Sequence, residues 1–406
     1  MSATAAADDA VVTPGPSIAR ESFLLAGSLF LIVSTTNIMT PLLPDIRNDF
    51  GVSIATAGVI VGSYGLARLI IDLPAGLVSD RIGHRRISAA ALVLLLASCV
   101  LGLNASSVGL LILARVGSGI SVAILATVIL SSLGATATAT NRGKVMSLFH
   151  VANNVGIAVY PLVGGVIGAT LGWRATFAVT FGLTVVAGAI LLPVLVRIDP
   201  RRRGAVRRET GGDARVLHGR ARAVGIAATN IGVVANLINR HGFRNTILPL
   251  YAATSLGLGG ISIATGIALM SITGLVVATP GGMLGDRIGR RRIITAGLAA
   301  IAAGDLVFLL THDLVTFLLA AALIGFGDFF SSSQTALLTE IVPADLRTKV
   351  LGSYRFSADL GAFIGPVLLA AVMDLVNAQA AIVLAAAMLL LASLVSRIGV
   401  PRTVDL

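Results

Sequence analysis

Twelve stretches of predominantly apolar residues follow one another through this sequence, and no other feature limits its fold so strongly. They lie at about 22–44, 54–78, 88–106, 108–132, 146–170 and 173–196, then 223–253, 258–284, 293–311, 314–337, 350–374 and 378–396. A helix needs about 20 apolar residues to cross the hydrocarbon core of a bilayer. Lipid offers backbone N–H and C=O groups no partner, so each run must close its own hydrogen bonds as a helix. Composition agrees: of 406 residues, 56% are hydrophobic and 12% charged, against about 25% charged in soluble domains. The fold class implied is an all-α polytopic membrane protein with twelve transmembrane helices. The first run is too long for a signal-peptide core and has no small-residue cleavage site, so it counts as a span.

The longest polar segment, RIDPRRRGAVRRETGGDARVLHGRARA, begins at Arg197 and divides the runs into two sets of six. The expected organisation is an N-terminal tail (1–21), a six-helix bundle (22–196), a basic linker (197–222), a second six-helix bundle (223–396) and a C-terminal tail (397–406). Of the 30 basic residues, 23 fall on one side if the N-terminus is cytoplasmic, and only Arg47 and Arg174 fall on the other. The positive-inside rule therefore places both termini in the cytoplasm of a cell-membrane protein. The net charge of +11 is read as a topology signal that also suits an anionic inner leaflet. Its distribution over short loops argues against a nucleic-acid surface.

The two sets repeat each other. GLVSDRIGHRR begins at Gly76 and GMLGDRIGRRR at Gly282; Pro74 corresponds to Pro280. Arg142 and Lys144 correspond to Arg347 and Lys349, and Gly156 and Pro161 to Gly361 and Pro366. Six spans per half is an even number, so the repeats are parallel, and a binding site is expected where they meet near the midplane.

These residues resemble the major facilitator superfamily of secondary transporters, in particular its twelve-helix drug:proton antiporters, over all twelve spans. The stretch at Gly76, Asp80, Arg81, Gly83 and Arg85 looks like the family signature between helices 2 and 3, with a second copy at Gly282, Asp286 and Arg287. LARVGSGIS at 113–121 is similar to the helix 4 motif of proton-linked members, with Arg115 at its arginine and Ser118 where many carry glutamine. GIAVYPLVGG, carrying Gly156, Pro161, Gly164 and Gly165, resembles the helix 5 antiporter pattern, except that Tyr160 replaces a glycine. The resemblance implies that Asp80 meets the N-terminal end of helix 11 across the seam between halves, an interaction worth about 0.3–1 kcal/mol, and that Asp286 does the same on the other half.

Ionisable side chains inside spans cost about 2.5–3.5 kcal/mol each on insertion scales, so they imply a partner or a function. In the second span Tyr64, Arg68 and Asp72 share one helix face; in the eleventh, Arg355 and Asp359 are four apart. Helices 2 and 11 meet in this fold, so these four charges form either fixed intrahelical pairs or a latch that re-pairs as the halves rock. Helices 1, 4, 7 and 10 line the cavity of the family. Candidate cavity residues are accordingly Asn37, Arg115, Asn236, Arg240, Arg244 and Asp328, with His241 beside the arginines and Ser331, Ser332 and Thr335 along helix 10. The arginines bias the chamber towards neutral or anionic amphiphiles over lipophilic cations. Asn37 cannot titrate, so the proton-coupling candidates are Asp328 and Arg115, with Asp305 and His241 behind them.

The lone Cys99 excludes an intrachain disulfide. The motifs GxxxxGK[ST], HExxH, CxxC and GxSxG do not occur, so no ATPase, hydrolase or metal site is expected, and no cofactor. The sequence reads as a monomeric transporter of small molecules by alternating access, exporting them in exchange for H+. The rival readings are a facilitator or proton-coupled importer of an organic anion, suggested by Arg240 and Arg244, and a receptor that binds without transporting.

Overall fold

The computed structural model describes residues 16–137, 141–198, 216–343 and 345–400, without the side chains of residues 16–19, 73, 75–80, 142, 331, 332 and 348. Most of the expected linker, Gly76, Asp80, Arg142, Ser331 and Ser332 therefore fall wholly or by their side chains outside the described part. Among the described residues the chain forms twelve helical rods and no strand. The first rod, α1, is composite: helix Pro16–Asn37 leads through a 3-10 turn Thr40–Leu42 into a short helix Leu43–Phe50. It is followed by α2 (Ile54–Ile82), α3 (His84–Leu103), α4 (Val108–Thr136), α5 (Arg142–Leu171) and α6 (Ala175–Arg197). The second set comprises α7 (Gly219–Thr254), α8 (Gly260–Ile288), α9 (Arg290–Phe308), α10 (Leu314–Glu340), α11 (Arg347–Leu375) and α12 (Ala378–Gly399).

Eleven of these rods are long and apolar enough to cross a membrane. The other is α9, which packs Arg290, Arg291, Arg292 and Asp305 into 19 residues. Its arginines cluster at one end, where long basic side chains reach an interface while their stems stay in the apolar layer. Large apolar side chains such as Ile70, Val93, Leu319 and Leu391 are exposed around the bundle, the surface that lipid would cover.

Each set of six rods has its own apolar interior. Leu29, Leu95, Leu125 and Leu191 pack together in the first set, and Phe243, Phe308, Phe317 and Phe330 in the second. Local signals repeat between the sets. The turn from α2 to α3 is made at Gly83 (φ +95°) and that from α8 to α9 at Gly289 (φ +100°). Only glycine takes that conformation without strain, which explains why both copies of the repeated stretch carry it. Pro74 in α2 matches Pro280 in α8, and Pro161 in α5 matches Pro366 in α11.

The halves meet along two helix pairs, α2 with α11 and α5 with α8. Helix association in lipid depends on close backbone approach rather than on hydrophobic burial, hence on small residues. On α2, Gly58, Gly62 and Gly65 face Pro366, Phe363 and Ala362 of α11; a Cβ at Gly65 would lie 2.8 Å from the Ala362 backbone. Gly165 of α5 packs on Gly260 and Ala264 of α8, and Gly164 rests on the Ile38 carbonyl of α1. These contacts crowd the end of the bundle opposite the one where α1 begins and α12 finishes. At that same far end Asp374, in the last turn of α11, accepts hydrogen bonds from the Ile54 and Ala55 amides of α2 (3.3 and 3.4 Å).

Inserting bulk at a seam glycine should force the rods apart. Gly65→Leu is expected to destabilise the protein by about 1–3 kcal/mol and to lower its melting temperature in detergent. Gly27→Ala, at a position with no heavy atom within 4 Å, should leave the melting temperature unchanged.

Candidate functional site

Two of the helices that carry candidate charges, α7 and α10, are irregular where they carry them. α7 winds as a π-helix over Ile238–Ile247, and α10 is broken by a 3-10 turn at Gly327–Phe330. In a π-helix the backbone bonds run from i to i+5, a geometry frequent at functional sites. Residues five apart therefore come together: Arg244 Nε donates to Asn239 Oδ1 at 3.1 Å, and Thr246 Oγ1 donates to the His241 carbonyl at 2.9 Å. The four-residue spacing in the sequence sets Asn236, Arg240 and Arg244 on one face, and the π-winding breaks that register. Asn236 is buried, is absent from the cavity wall, and has an unpaired Oδ1.

The Arg244 guanidinium forks onto Asp328, with Nη1 donating to Oδ2 at 2.7 Å and Nη2 to Oδ1 at 3.1 Å. Such two-pronged, charge-assisted pairing is stronger than a single contact and fixes orientation. The pair lines a polar cleft between the halves. Asn37 and Thr40 of α1 and Asn154 of α5 form one wall, and Arg240, Asn245 and Ser271 the other. Arg240 makes no hydrogen bond or ion pair among the described residues, and the titratable groups within its electrostatic reach are Asp328, Arg244 and Tyr354. Asn37 uses its amide locally, donating to the Val33 carbonyl at 3.3 Å. Asn154, Asn245 and Ser271 escaped the sequence reading. The amide pair Asn153–Asn154 within an apolar run was a usable signal; Asn245 needed the π-winding.

A smaller pocket shares the lining residues Thr40 and Asn245 with this cleft and adds Tyr64, Arg115 and His241. Arg115 Nη1 donates to the Thr35 carbonyl at 3.0 Å, and its guanidinium lies 4.9 Å from the centre of the Tyr64 ring. The cation is thus held by a carbonyl dipole and a π-face rather than by an acid. Thr36 donates to the Tyr64 hydroxyl at 2.8 Å. Ser118 is turned away, donating to the Ala114 carbonyl of its own helix at 2.8 Å.

At the seam, Arg68 reaches both acids at once: Asp72 on its own helix at 3.6 Å and Asp359 across the interface at 3.3 Å. Arg355 is exposed and forms no ion pair among the described residues. Three of the four seam charges therefore assemble around one cation. At the repeated loops, Arg81, Arg85 and Arg287 are exposed. Asp286 differs from the expectation of a contact across the seam: it pairs at 2.8 Å with Arg290, which also binds Glu340 at 2.7 Å, all within the second half. The turn at Gly289 delivers Arg290 one helical turn from Asp286, and proximity decides the pairing. On α5, Gly156 faces Val33 of α1, and Tyr160 fills the place of the expected glycine by stacking on Phe30 with ring centres 5.1 Å apart.

If the Arg68–Asp359 contact holds the seam, Arg68→Asp and Asp359→Arg should each lower transport, and the double swap should restore part of it. A counterflow assay on all three variants reads the rescue.

Comparison with known proteins places this arrangement among relatives. The model of the Major Facilitator Superfamily matches residues 25–236 and again 229–405. The chloramphenicol resistance protein of Streptomyces lividans is 24% identical over 352 residues, covering 86% of this chain and 88% of that protein. The cephamycin export protein of Amycolatopsis lactamdurans is 32% identical over 186 residues, covering 45% of this chain and only 38% of that protein. Among solved structures, a bacterial homologue of the human lysosomal transporter Spinster, in an inward-facing and unoccupied conformation, superposes with a TM-score of 0.78 at 15% identity, covering 97% of this chain and 98% of that one.

Proposed function

Because the chain belongs to the major facilitator superfamily, and is a membrane transporter on that ground, we propose that it exports small organic molecules in exchange for protons. The single observation that carries this reading is the polar chamber at the seam, where Arg240, unpaired among the described residues, and paired Asp328 face the same space. Arg240 needs an acceptor, and Asp328 offers one to hydroxyl or amide donors. A neutral solute bearing both kinds of group satisfies the wall; a lipophilic cation meets two arginines and is repelled. The names of the relatives, one for chloramphenicol resistance and one for cephamycin export, support export of small organic molecules.

The basic residues favour a cytoplasmic location for both termini in the cell membrane. In that orientation the end closed by Gly165 and Asp374 faces outward, and the chamber is entered from the cytoplasm. The signature residues Gly76, Asp80, Arg81, Gly83 and Arg85, with Gly282, Asp286 and Arg287, act as the gate at the cytoplasmic end. Arg68, Asp72, Arg355 and Asp359 act as the latch along the seam. The protein works as a monomer, with one chamber per chain.

The unpartnered Arg240 also favours a second reading, movement of an organic anion down its own or a proton gradient. Proteoliposomes separate the two, with chloramphenicol as a neutral hydroxyl- and amide-bearing probe and benzoate as the anion. Export by exchange predicts accumulation of the neutral probe in vesicles with an acidic interior, and Arg240→Ala should raise its KM about tenfold or more. Neutral-probe flux indifferent to the pH gradient, with benzoate flux that follows it, would overturn exchange in favour of the anion reading.

A further inference from the structure

Behind the chamber lies an acid that the reading above leaves without a task. Asp305 of α9 is 0% exposed, and among the described residues its hydrogen bond is from Asn239 Nδ2 to Oδ2 at 2.5 Å. Its Oδ1 has no partner among the described residues. Asn239, also 0% exposed, turns its own oxygen to Arg244 Nε. A continuous chain therefore runs Asp305–Asn239–Arg244–Asp328, from a closed interior to the chamber wall. The charged groups that reach Asp305 are Arg244 of α7 and Asp328 of α10. The other neighbours of α9 add nothing: α8 and α12 carry their charges, Asp286, Arg287 and Arg397, at the far end of the bundle. His312 and Asp313, beyond the end of α9, pair with each other and are exposed.

Two carboxylates thus share one guanidinium. Asp328 takes its fork directly, and Asp305 takes it through the amide. An ionised carboxylate with an orphan oxygen and only a neutral donor is expensive to keep in a closed interior. Adding a proton removes that charge and leaves Arg244 wholly to Asp328.

We propose that Asp305 takes up the exchanged proton and that Asn239 transmits its state to the Arg244–Asp328 pair in the chamber. This rests on the proton-exchange reading above and moves the proton from the chamber wall to the acid behind it. With Asp305 ionised, Arg244 is drawn towards Asn239, and Asp328 is free to accept from a substrate hydroxyl or amide. With Asp305 protonated, Arg244 closes on Asp328 and the acceptor is lost. Proton and substrate then exclude each other without sharing an atom, the linkage that exchange requires.

The test uses the full chain in proteoliposomes with chloramphenicol. Wild-type affinity should weaken about tenfold on acidification, within the usual span of coupling between sites. Asp305→Asn should be fixed at the weak affinity at every pH, retain counterflow at saturating chloramphenicol, and lose accumulation driven by an acidic interior; Asp305→Glu should restore part of the drive. In the unmutated protein, dicyclohexylcarbodiimide, which modifies protonated carboxyls in membranes, should label Asp305 more at acid pH and less with chloramphenicol present. Accumulation by Asp305→Asn that still follows the pH gradient would overturn the assignment, as would labelling of Asp328 with none at Asp305. Wild-type accumulation blind to the gradient would sink the exchange reading itself, a result distinct from either.

Discussion

Charge buried in a lipid-embedded bundle has to be matched, and the Arg244 guanidinium is where this chain does most of that matching. Its fork holds Asp328 on α10, and its Nε reaches Asn239 and through it Asp305 on α9. Three rods of the second half are thereby tied by polar contacts in a place where polar contacts are otherwise scarce. The irregular winding of α7 and the break in α10 belong to the same arrangement. Regular α-helix would not bring a donor and an acceptor five residues apart into line, nor would it present Asp328 on a turn.

The first half solves the same problem differently. Arg115 has no acid partner and rests between the Thr35 carbonyl and the Tyr64 ring. The two arginine environments line neighbouring pockets that share Thr40 and Asn245. The halves that enclose it touch through glycines rather than through large side chains. Such a surface lets rods approach closely without locking them by interdigitation, and leaves directional contacts, Arg68 with Asp359 and Asp374 with the start of α2, to set which end is closed. These are few and partly exposed, so each is worth little alone, which suits a seam that has to open and close.

How much of this was legible in the sequence varied with the range of the interaction. Arg244, Arg240 and Asp328 were found because an ionisable residue in an apolar run is conspicuous by itself. Asp305 is equally conspicuous, but it lies in a helix that the resemblance places at the periphery, and nothing in the sequence names its partner. Asn236 was chosen by an α-helical register that α7 does not keep. The Asp286 contact was misplaced across the seam because the repeat suggested symmetry, whereas Arg290 lies four residues away on the same side.

By itself the sequence determined the number of rods, their division into two repeating sets, the glycine turns at Gly83 and Gly289, and the identity of the buried charges. All of these follow from local physics: the length of an apolar run, the backbone freedom of one residue, the cost of one charge in lipid. Only the tertiary structure decided which charge meets which, that α7 would unwind by one residue per turn beside Gly242, and that Asn239 would stand between Asp305 and Arg244. Those partners are 66 residues apart in one case and five in the other. No periodicity of the chain encodes either contact, because both are fixed by how neighbouring rods pack.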